Sequence, residues 1–312
     1  MMLSGSSVLT IDGKDVGDDT DCYVIAEIGH NHQGDLQLCK QMFLAAKLAG
    51  ADAVKLQKRH NKTLYTKDFY GSPYNSENAF GPTYGAHREA LEFNRTQYLC
   101  LQEYAAGIDV TFFATAFDLP SLDFLLSLDV PAITIASGDL KNHALLEAAA
   151  EAEVPIILST GGGSLEDVRI ADEICQPDAI LQCTSGYPAS YDELNLSVIG
   201  TYLDNFPDAV IGFSDHSNSV AMAPIAYALG ARIIEKHFTL DRTLKGTDQA
   251  MSLEPAGLKK LVRDLRRAKV AFGDGEKRCY DSEFAPLAKQ WKNADGKIDG
   301  KCRRVEAACR AH

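Results

Sequence analysis

No apolar run in this chain approaches the roughly 20 residues that a bilayer-crossing helix needs. The longest, such as 221–231, stop well short, so no transmembrane segment is expected. A basic cluster followed by an apolar stretch is missing from residues 1–21, which argues against a secretory leader. Cys-x-x-Cys pairs are missing as well. The cysteines (Cys22, Cys39, Cys100, Cys175, Cys183, Cys279, Cys302 and Cys309) are scattered in the manner of reduced thiols, and a cytoplasmic location is the expectation. Cys302 and Cys309 form the one close pair, and no disulfide is expected there. Positive charge is in deficit: 31 Lys and Arg stand against 43 Asp and Glu, a net charge of −12. That disfavours a broad nucleic-acid-binding face, though a local basic pocket for a small anion is still allowed. Compositional bias is absent too. With 46% hydrophobic and 24% charged residues, the chain is neither disordered nor collagen-like. Its 312 residues suffice for two average domains or one large α/β barrel with a sizeable core.

What is present is one repeating theme. Eight β-branched apolar runs, at 23–29, 53–57, 111–116, 132–137, 155–160, 179–185, 210–215 and 232–238, read as strands. Segments with helical spacing follow them at 36–50, 96–107, 119–128, 144–153, 165–175, 195–206, 220–230 and 255–272. In the first of these, Leu38, Met42, Ala45, Ala46 and Ala49 make one apolar face. Strands alternating with helices imply parallel pairing, and eight such units in about 250 residues match a closed (β/α)8 TIM barrel. An open doubly wound sheet is the structural alternative, disfavoured because no Gly-x-Gly-x-x-Gly opens a helix after the first strand. Residues 8–16 read as a hairpin around Asp12-Gly13, fit to cover the barrel bottom. The expected organisation is a hairpin extension at 1–20, the barrel at 21–275 and a short tail at 276–312. Within the barrel, the Tyr-, Asn-, Gly- and Pro-rich insertion 59–94 is too long for an ordinary βα loop, which suggests function.

Polar residues gather where the strands end, the rim from which barrel enzymes draw their catalytic groups. These ends read Glu27, Lys55 and Gln57, Thr115, Ser137 and Asp139, Ser159 and Thr160, Thr184 and Ser185, Ser214-Asp215-His216, and Glu235-Lys236-His237. Any one Ser or Thr could simply cap the next helix; the whole set is more than capping requires. Lys55 and Gln57, two apart, share a strand face. A lysine amid Ala53, Val54 and Leu56 must snorkel or meet an anion, either a ligand carboxylate or phosphate or a protein acid. His216 and His237 end adjacent strands and place two imidazoles side by side, a pair suited to a divalent metal with open positions. Glu235 and Asp248 add carboxylates for orienting ligands or for acid–base work. Such groups could hold a phosphate, polarise a carbonyl and move a proton.

The motifs resemble those of the sialic acid synthase (N-acetylneuraminate synthase) family. They are Ile25-Ala26-Glu27-Ile28-Gly29-His30-Asn31-His32, Lys55-Leu56-Gln57, Thr83-Tyr84-Gly85-Ala86-His87-Arg88, Gln182-Cys183-Thr184-Ser185-Gly186-Tyr187-Pro188, Ser214-Asp215-His216 and Glu235-Lys236-His237-Phe238-Thr239-Leu240-Asp241. Gly246-Thr247-Asp248 and Ser252-Leu253-Glu254-Pro255 continue the series, so the similarity spans about 23–284. The resemblance implies a transferase that condenses phosphoenolpyruvate with an N-acetylmannosamine-type aldose, with or without a 6-phosphate, in a barrel that binds a divalent metal. That metal is usually Mn, with Mg or Co as alternatives. By the same resemblance His216 and His237 are the metal ligands. Lys55, Thr115, Ser137, Ser159, Ser185 and Ser214 match positions that hold phosphoenolpyruvate, with Asp139 beside them. Glu27 matches the acid–base glutamate, and Gln57, Tyr187 and Asp248 match positions around the sugar; Glu27, Lys55 and Asp248 are the catalytic candidates. The implied reaction is attack of the enol C3 on the aldehyde, addition of water at C2 and loss of phosphate by C–O cleavage. The implied partners are these small molecules, with no nucleic acid or membrane, and a homodimer is left open.

Three departures from the family pattern stand out. The end of the fourth barrel strand reads Thr134-Ile135-Ala136-Ser137-Gly138-Asp139 where the family usually has Lys-Ile-Ala-Ser-Gly-Glu. A phosphate-binding lysine is thus replaced by Thr134, a loss worth about 1.5–3 kcal/mol unless compensated, and Lys141 is the candidate substitute. Gly161-Gly162-Gly163 stands in place of Gly-Met, which predicts a more pliable loop. The sequence also stops where many relatives begin a small antifreeze-like domain that lends an arginine to the partner's sugar site. Residues 293–299 look like part of a calcium loop, but one register puts Trp291 and Cys302 at the end positions, and another, from Asp295 to Glu306, puts Lys297 at a ligand position. A solvated turn is expected there. Two rival functions follow: a barrel aldolase or lyase using a different donor, and a non-catalytic metal- or sugar-binding barrel.

Overall fold

The computed structural model describes residues 7–298 and residue 300. It opens with an antiparallel hairpin, β1 (Leu9–Ile11) and β2 (Lys14–Val16), with Leu9 opposite Val16 and Ile11 opposite Lys14. Asp12 and Gly13 turn it with φ of 51° and 72°, the left-handed pair that a tight two-residue hairpin requires. Eight parallel strands then close a barrel: β3 (Tyr23–Gly29), β4 (Ala53–Lys58), β5 (Thr111–Ala116), β6 (Ile133–Ile135), β7 (Ile156–Ser159), β8 (Ala179–Cys183), β9 (Val210–Asp215) and β10 (Ile233–His237). Neighbours pair in chain order, and β10 returns to β3 with His237 opposite Glu27. The (β/α)8 barrel with its N-terminal hairpin is therefore the architecture found.

Helices fill the intervals. After β3 comes α1 (Leu36–Ala49); after β4 come α2 (Asn61–Leu64), α3 (Lys67–Gly71), α4 (Tyr84–Glu89) and α5 (Arg95–Gly107). The remaining strands are followed by α6 (Leu119–Leu126), α7 (His143–Ala150), α8 (Leu165–Cys175), α9 (Val198–Asn205), α10 (Met222–Ala228) and α11 (Pro255–Phe272). Side-chain caps begin many of them. Asp35 accepts from the amides of Gln37 and Leu38, and Asn94 with Gln97 forms a reciprocal capping box on α5. The long insertion is built: α2, α3 and α4 bring Tyr65, Phe69, Tyr74 and Tyr84 together with ring centroids 4.5–5.7 Å apart. β6 is shorter than its apolar run because Ser137–Asp139 wind into a turn of 3-10 helix. No helix among the described residues is long and apolar enough to cross a membrane.

Two cores result. One lies between strands and helices, where Val54, Leu56 and Phe112 of the sheet meet Met42, Phe43 and Tyr98 of α1 and α5. The other fills the barrel from below. There Leu9, Ile11 and Val16 of the hairpin pack with Tyr23, Ile25, Ala53, Phe113, Ala132, Ile157, Ala179, Val210 and Ile233, mostly the first residues of their strands. Thr111 Oγ1 fixes the hairpin turn by donating to Asp12 Oδ2 at 3.0 Å.

The chain divides into two compact units, 1–268 and 269–312. The described part of the second contains the end of α11, then α12 (Asp281–Ala288) and a turn. In that turn Asn293 Oδ1 accepts from the amides of Asp295 and Lys297 at 3.0 and 2.9 Å, so this side chain serves the backbone. Position 299, with which the calcium-like segment ends, and Cys302, Glu306 and Cys309, named above, lie outside the described residues.

Candidate active site

The pleat sorts the rim residues. Successive side chains on a strand point to opposite faces, and on four strands the inward series climbs from apolar to polar. The series are Tyr23, Ile25 and Glu27 on β3; Ala53, Lys55 and Gln57 on β4; Val210, Gly212 and Ser214 on β9; and Ile233, Glu235 and His237 on β10. Between them, Asp215 and Lys236 turn away and pair with each other at 2.8 Å, and Lys236 also donates to the Ser217 carbonyl.

A cavity of about 370 Å³ opens above the apolar layer. Glu27, Lys55, Gln57, Thr115, Ser137, Ser159, Ser185, Tyr187, Ser214, His216, His237 and Asp248, all singled out in the sequence, line it. Asp139 does not. It sits in the 3-10 turn, where Asn142 Nδ2 donates to it at 3.0 Å, and burial raises its carboxyl above the ordinary range despite Asn142 and Arg59. Lys141 also stays outside, paired with Asp167 at 3.0 Å on an exposed side chain, so it does not reach back toward Thr134. Thr134 faces the cavity with a buried hydroxyl that has no hydrogen-bond partner. The glycine loop is tightly held at its first residue: Gly161 N donates to Ser137 Oγ at 2.9 Å, and a Cβ there would collide with Ser185 Oγ.

Lys55 meets protein acids. Its Nζ lies 2.6 Å from Glu235 Oε2 and 3.5 Å from Glu27 Oε2, with all three side chains buried. Ser214 Oγ donates to Glu235 Oε1 at 3.1 Å, and Gln57 Nε2 donates to Glu27 Oε1 at 2.8 Å. The two carboxylates titrate apart. Burial pushes Glu27 up to about 7 against the pull of Lys55, whereas at Glu235 burial is opposed by the close ammonium together with His237 and the Ser214 hydroxyl, and the value is lowered. Glu27 Oε2 makes no hydrogen bond.

His216 and His237 sit with ring centroids 5.3 Å apart. His216 Nδ1 lies 2.8 Å from the Thr184 carbonyl, which fixes Nδ1–H and leaves Nε2 as the lone-pair nitrogen. His237 Nδ1 is buried without a hydrogen-bond partner, 3.9 Å from Asp248 Oδ2, and burial holds this imidazole down to about 4, hence neutral. An orphaned ring nitrogen, a second imidazole of fixed tautomer and an adjacent carboxylate fit a divalent cation. Among the described residues no group of three or more His, Cys, Asp or Glu side chains is placed to hold a metal ion, so the two imidazoles are the part of such a site that the geometry provides. Tyr187 covers the pair, its ring 4.3 Å from that of His216.

Arg59, Arg88 and Phe117 also line the cavity and were not singled out in the sequence. Arg59 was detectable: it continues the two-residue alternation of Lys55 and Gln57. Arg88 ends the Thr83–Arg88 motif, but nothing in the sequence shows that α4 brings it to the mouth.

Comparison with known proteins shows which family the chain resembles. A profile described as the NeuB family matches residues 42–277. The N-acetylneuraminate-9-phosphate synthase of Homo sapiens is 39% identical over 92% of this chain and 81% of its own length. The N,N'-diacetyllegionaminic acid synthase of Legionella pneumophila is also 39% identical, over 87% of this chain and 79% of its own. Among solved structures, the N-acetylneuraminic acid synthetase of Leptospira borgpetersenii, crystallised with citrate, superposes with a TM-score of 0.77 at 36% identity, covering 90% of this chain and 95% of that one. A truncated 3-deoxy-D-arabino-heptulosonate 7-phosphate synthase from Thermotoga maritima, at 16% identity and a TM-score of 0.65, shares the fold. With most of its length matched by the family profile and by named synthases, the chain belongs to the NeuB family of sialic and related nonulosonic acid synthases and is an enzyme of the transferase class.

Proposed function

We propose that this enzyme condenses phosphoenolpyruvate with an N-acylated aldose such as N-acetylmannosamine, giving a nonulosonic acid and phosphate. The observation that carries the reading is the buried Lys55, held by Glu235 and Glu27, beneath two imidazoles and amid hydroxyls from several strands. Relatives are named for both phosphorylated and unphosphorylated products, which leaves the phosphorylation state of the aldose open.

Thr115, Ser137, Ser159, Ser185 and Ser214 offer hydroxyl donors to phosphate and carboxylate oxygens. Gln57 and Asp248 face the aldose. Glu27, near neutrality in its titration, moves a proton at Oε2 as the enol C3 bonds to the aldehyde carbon, water adds at C2, and phosphate leaves with the C2 oxygen bond. His216 and His237 would hold a divalent cation, Mn first among candidates, which polarises the aldehyde when bound. Thr134 in place of a lysine favours one rival, a barrel aldolase with a different donor.

The test measures phosphate released from phosphoenolpyruvate with Mn across a panel of aldoses, with and without a chelator. Chelator-sensitive, aldose-dependent release is expected, and His216→Ala and His237→Ala should each abolish it while leaving the far-UV circular dichroism unchanged. Near-normal turnover in either variant would remove the metal assignment. Absence of release with every aldose would favour the aldolase.

A further inference from the structure

Asp215 and Lys236 are buried, take no part in the proposed chemistry and do not line the cavity. Two charges out of water are a poor source of stability, because a well-packed apolar pair would serve about as well. What this pair does that an apolar one could not is hold backbone. Asp215 Oδ1 accepts from the Ser217 amide at 2.8 Å, and Lys236 Nζ donates to the Ser217 carbonyl. The ammonium also stands 2.8 Å from Asp215 Oδ2, so the two anchors are joined.

The neighbours of the pair give this hold its consequence. Asp215 and Lys236 stand opposite each other in the last register pair of the β9–β10 ladder. His216 follows the one and His237 follows the other. Beyond that rung His216 is tied toward β8: its Nδ1 lies 2.8 Å from the Thr184 carbonyl, and its own carbonyl accepts from the Ala189 amide at 3.1 Å. His237 is tied elsewhere, its carbonyl accepting from the Leu253 amide at 2.8 Å. Among the described residues, Lys236 alone carries a hydrogen bond from β10 to the His216–Ser217 step. The pair thus clamps the two imidazole-bearing segments where the sheet lets go of them.

We propose that Asp215 and Lys236 are positioning residues: from behind the cavity wall they set the separation of His216 and His237, and with it the affinity of the two imidazoles for a divalent cation. Two ligands bind an ion well only when they are held in place before it arrives. The proposal rests on the metal reading for the ion, and on the hydrogen bonds alone for the hold.

Removing one partner would strand a buried charge, so the test replaces both in the full-length protein. Asp215→Asn with Lys236→Met is uncharged and cuts the link from β10 to Ser217. Asp215→Asn with Lys236→Gln is equally uncharged but keeps a donor for that carbonyl. Asp215→Leu with Lys236→Met repeats the cut with no polar atom left over, and should unfold at about the wild-type temperature or above. Free Mn is counted by electron paramagnetic resonance in substrate-free titrations, and unfolding temperatures are measured after chelator treatment. Both variants that cut the link should bind Mn about 10- to 100-fold more weakly than wild type. The variant with glutamine should recover part of that loss. Wild-type affinity after the cut overturns the proposal. So does equal weakening with methionine and glutamine, which would assign the effect to the lost charges and not to the held backbone. Affinity that falls only in step with unfolding temperature makes the pair structural and overturns it as well. If wild-type protein binds no Mn, the metal reading falls, and crystal structures of chelator-treated wild type and the Asp215→Leu, Lys236→Met variant decide the hold. Ring centroids 5.3 Å apart in both would overturn it, and displaced rings in the variant would uphold it for whatever the imidazoles bind.

Discussion

At the level of single residues, Lys55 is one ammonium between two carboxylates, and burial together with the unequal distances sets their protonation. Glu235, at 2.6 Å, stays ionised, and Glu27, at 3.5 Å, is pushed from 4.5 to about 7 by burial. A carboxyl whose folded value is raised contributes stability that is fully present below its unfolded value and is lost as pH rises through the folded one. Chelator-treated wild-type protein should therefore lose thermal stability between about pH 5 and about pH 8 relative to Glu27→Gln. A difference in unfolding temperature that stays constant across that range would contradict the assignment. The same variant should lower kcat by about 100- to 10,000-fold with a smaller change in the KM for phosphoenolpyruvate. Most lining residues were legible because they sit at strand ends with inward parity. Two were misjudged in sequence for a local reason. The 3-10 turn after β6 carries Asp139 off the cavity wall, and Asp167, at the start of α8, captures Lys141. Neither the turn nor the capture shows in the spacing.

Elements obey the pleat, and that accounts for what periodicity could and could not reveal. Apolar runs located all eight strands, but 132–137 and 179–185 overran because Ser137 and Ser185 leave the sheet to serve the loops. The helices of the insertion were invisible for a different reason: α2 and α3 are single turns whose apolar contacts are aromatic and not periodic. Within β9, Gly212 is a position where the barrel wall tolerates no side chain. An added Cβ would stand 2.8 Å from both Cβ and the carbonyl oxygen of Ile233 on β10, with Leu181 of β8 closer still. Gly212→Ala should lower unfolding free energy by about 1–3 kcal/mol in urea titrations, through a strained strand pairing. An unchanged midpoint would mean that β9 and β10 can separate slightly without loss.

For the molecule as a whole, the hairpin and the polar rim lie at opposite ends of one barrel. Leu9, Ile11 and Val16 close the end from which the strands start, together with the first inward residues of those strands. Entry and exit therefore share the rim side. In the proposed reaction the donor occupies the floor, against Lys55 and the serines, and the aldose lies above it beside Gln57. If an aldose seated there bars the donor, the proposed reaction loads phosphoenolpyruvate first. An unreactive alditol should accordingly inhibit uncompetitively against phosphoenolpyruvate in initial-rate measurements, and competitive inhibition would mean the two substrates pass each other. A hairpin of six paired residues, at the end opposite the polar rim, thus leaves the rim as the side from which the proposed substrates come and go.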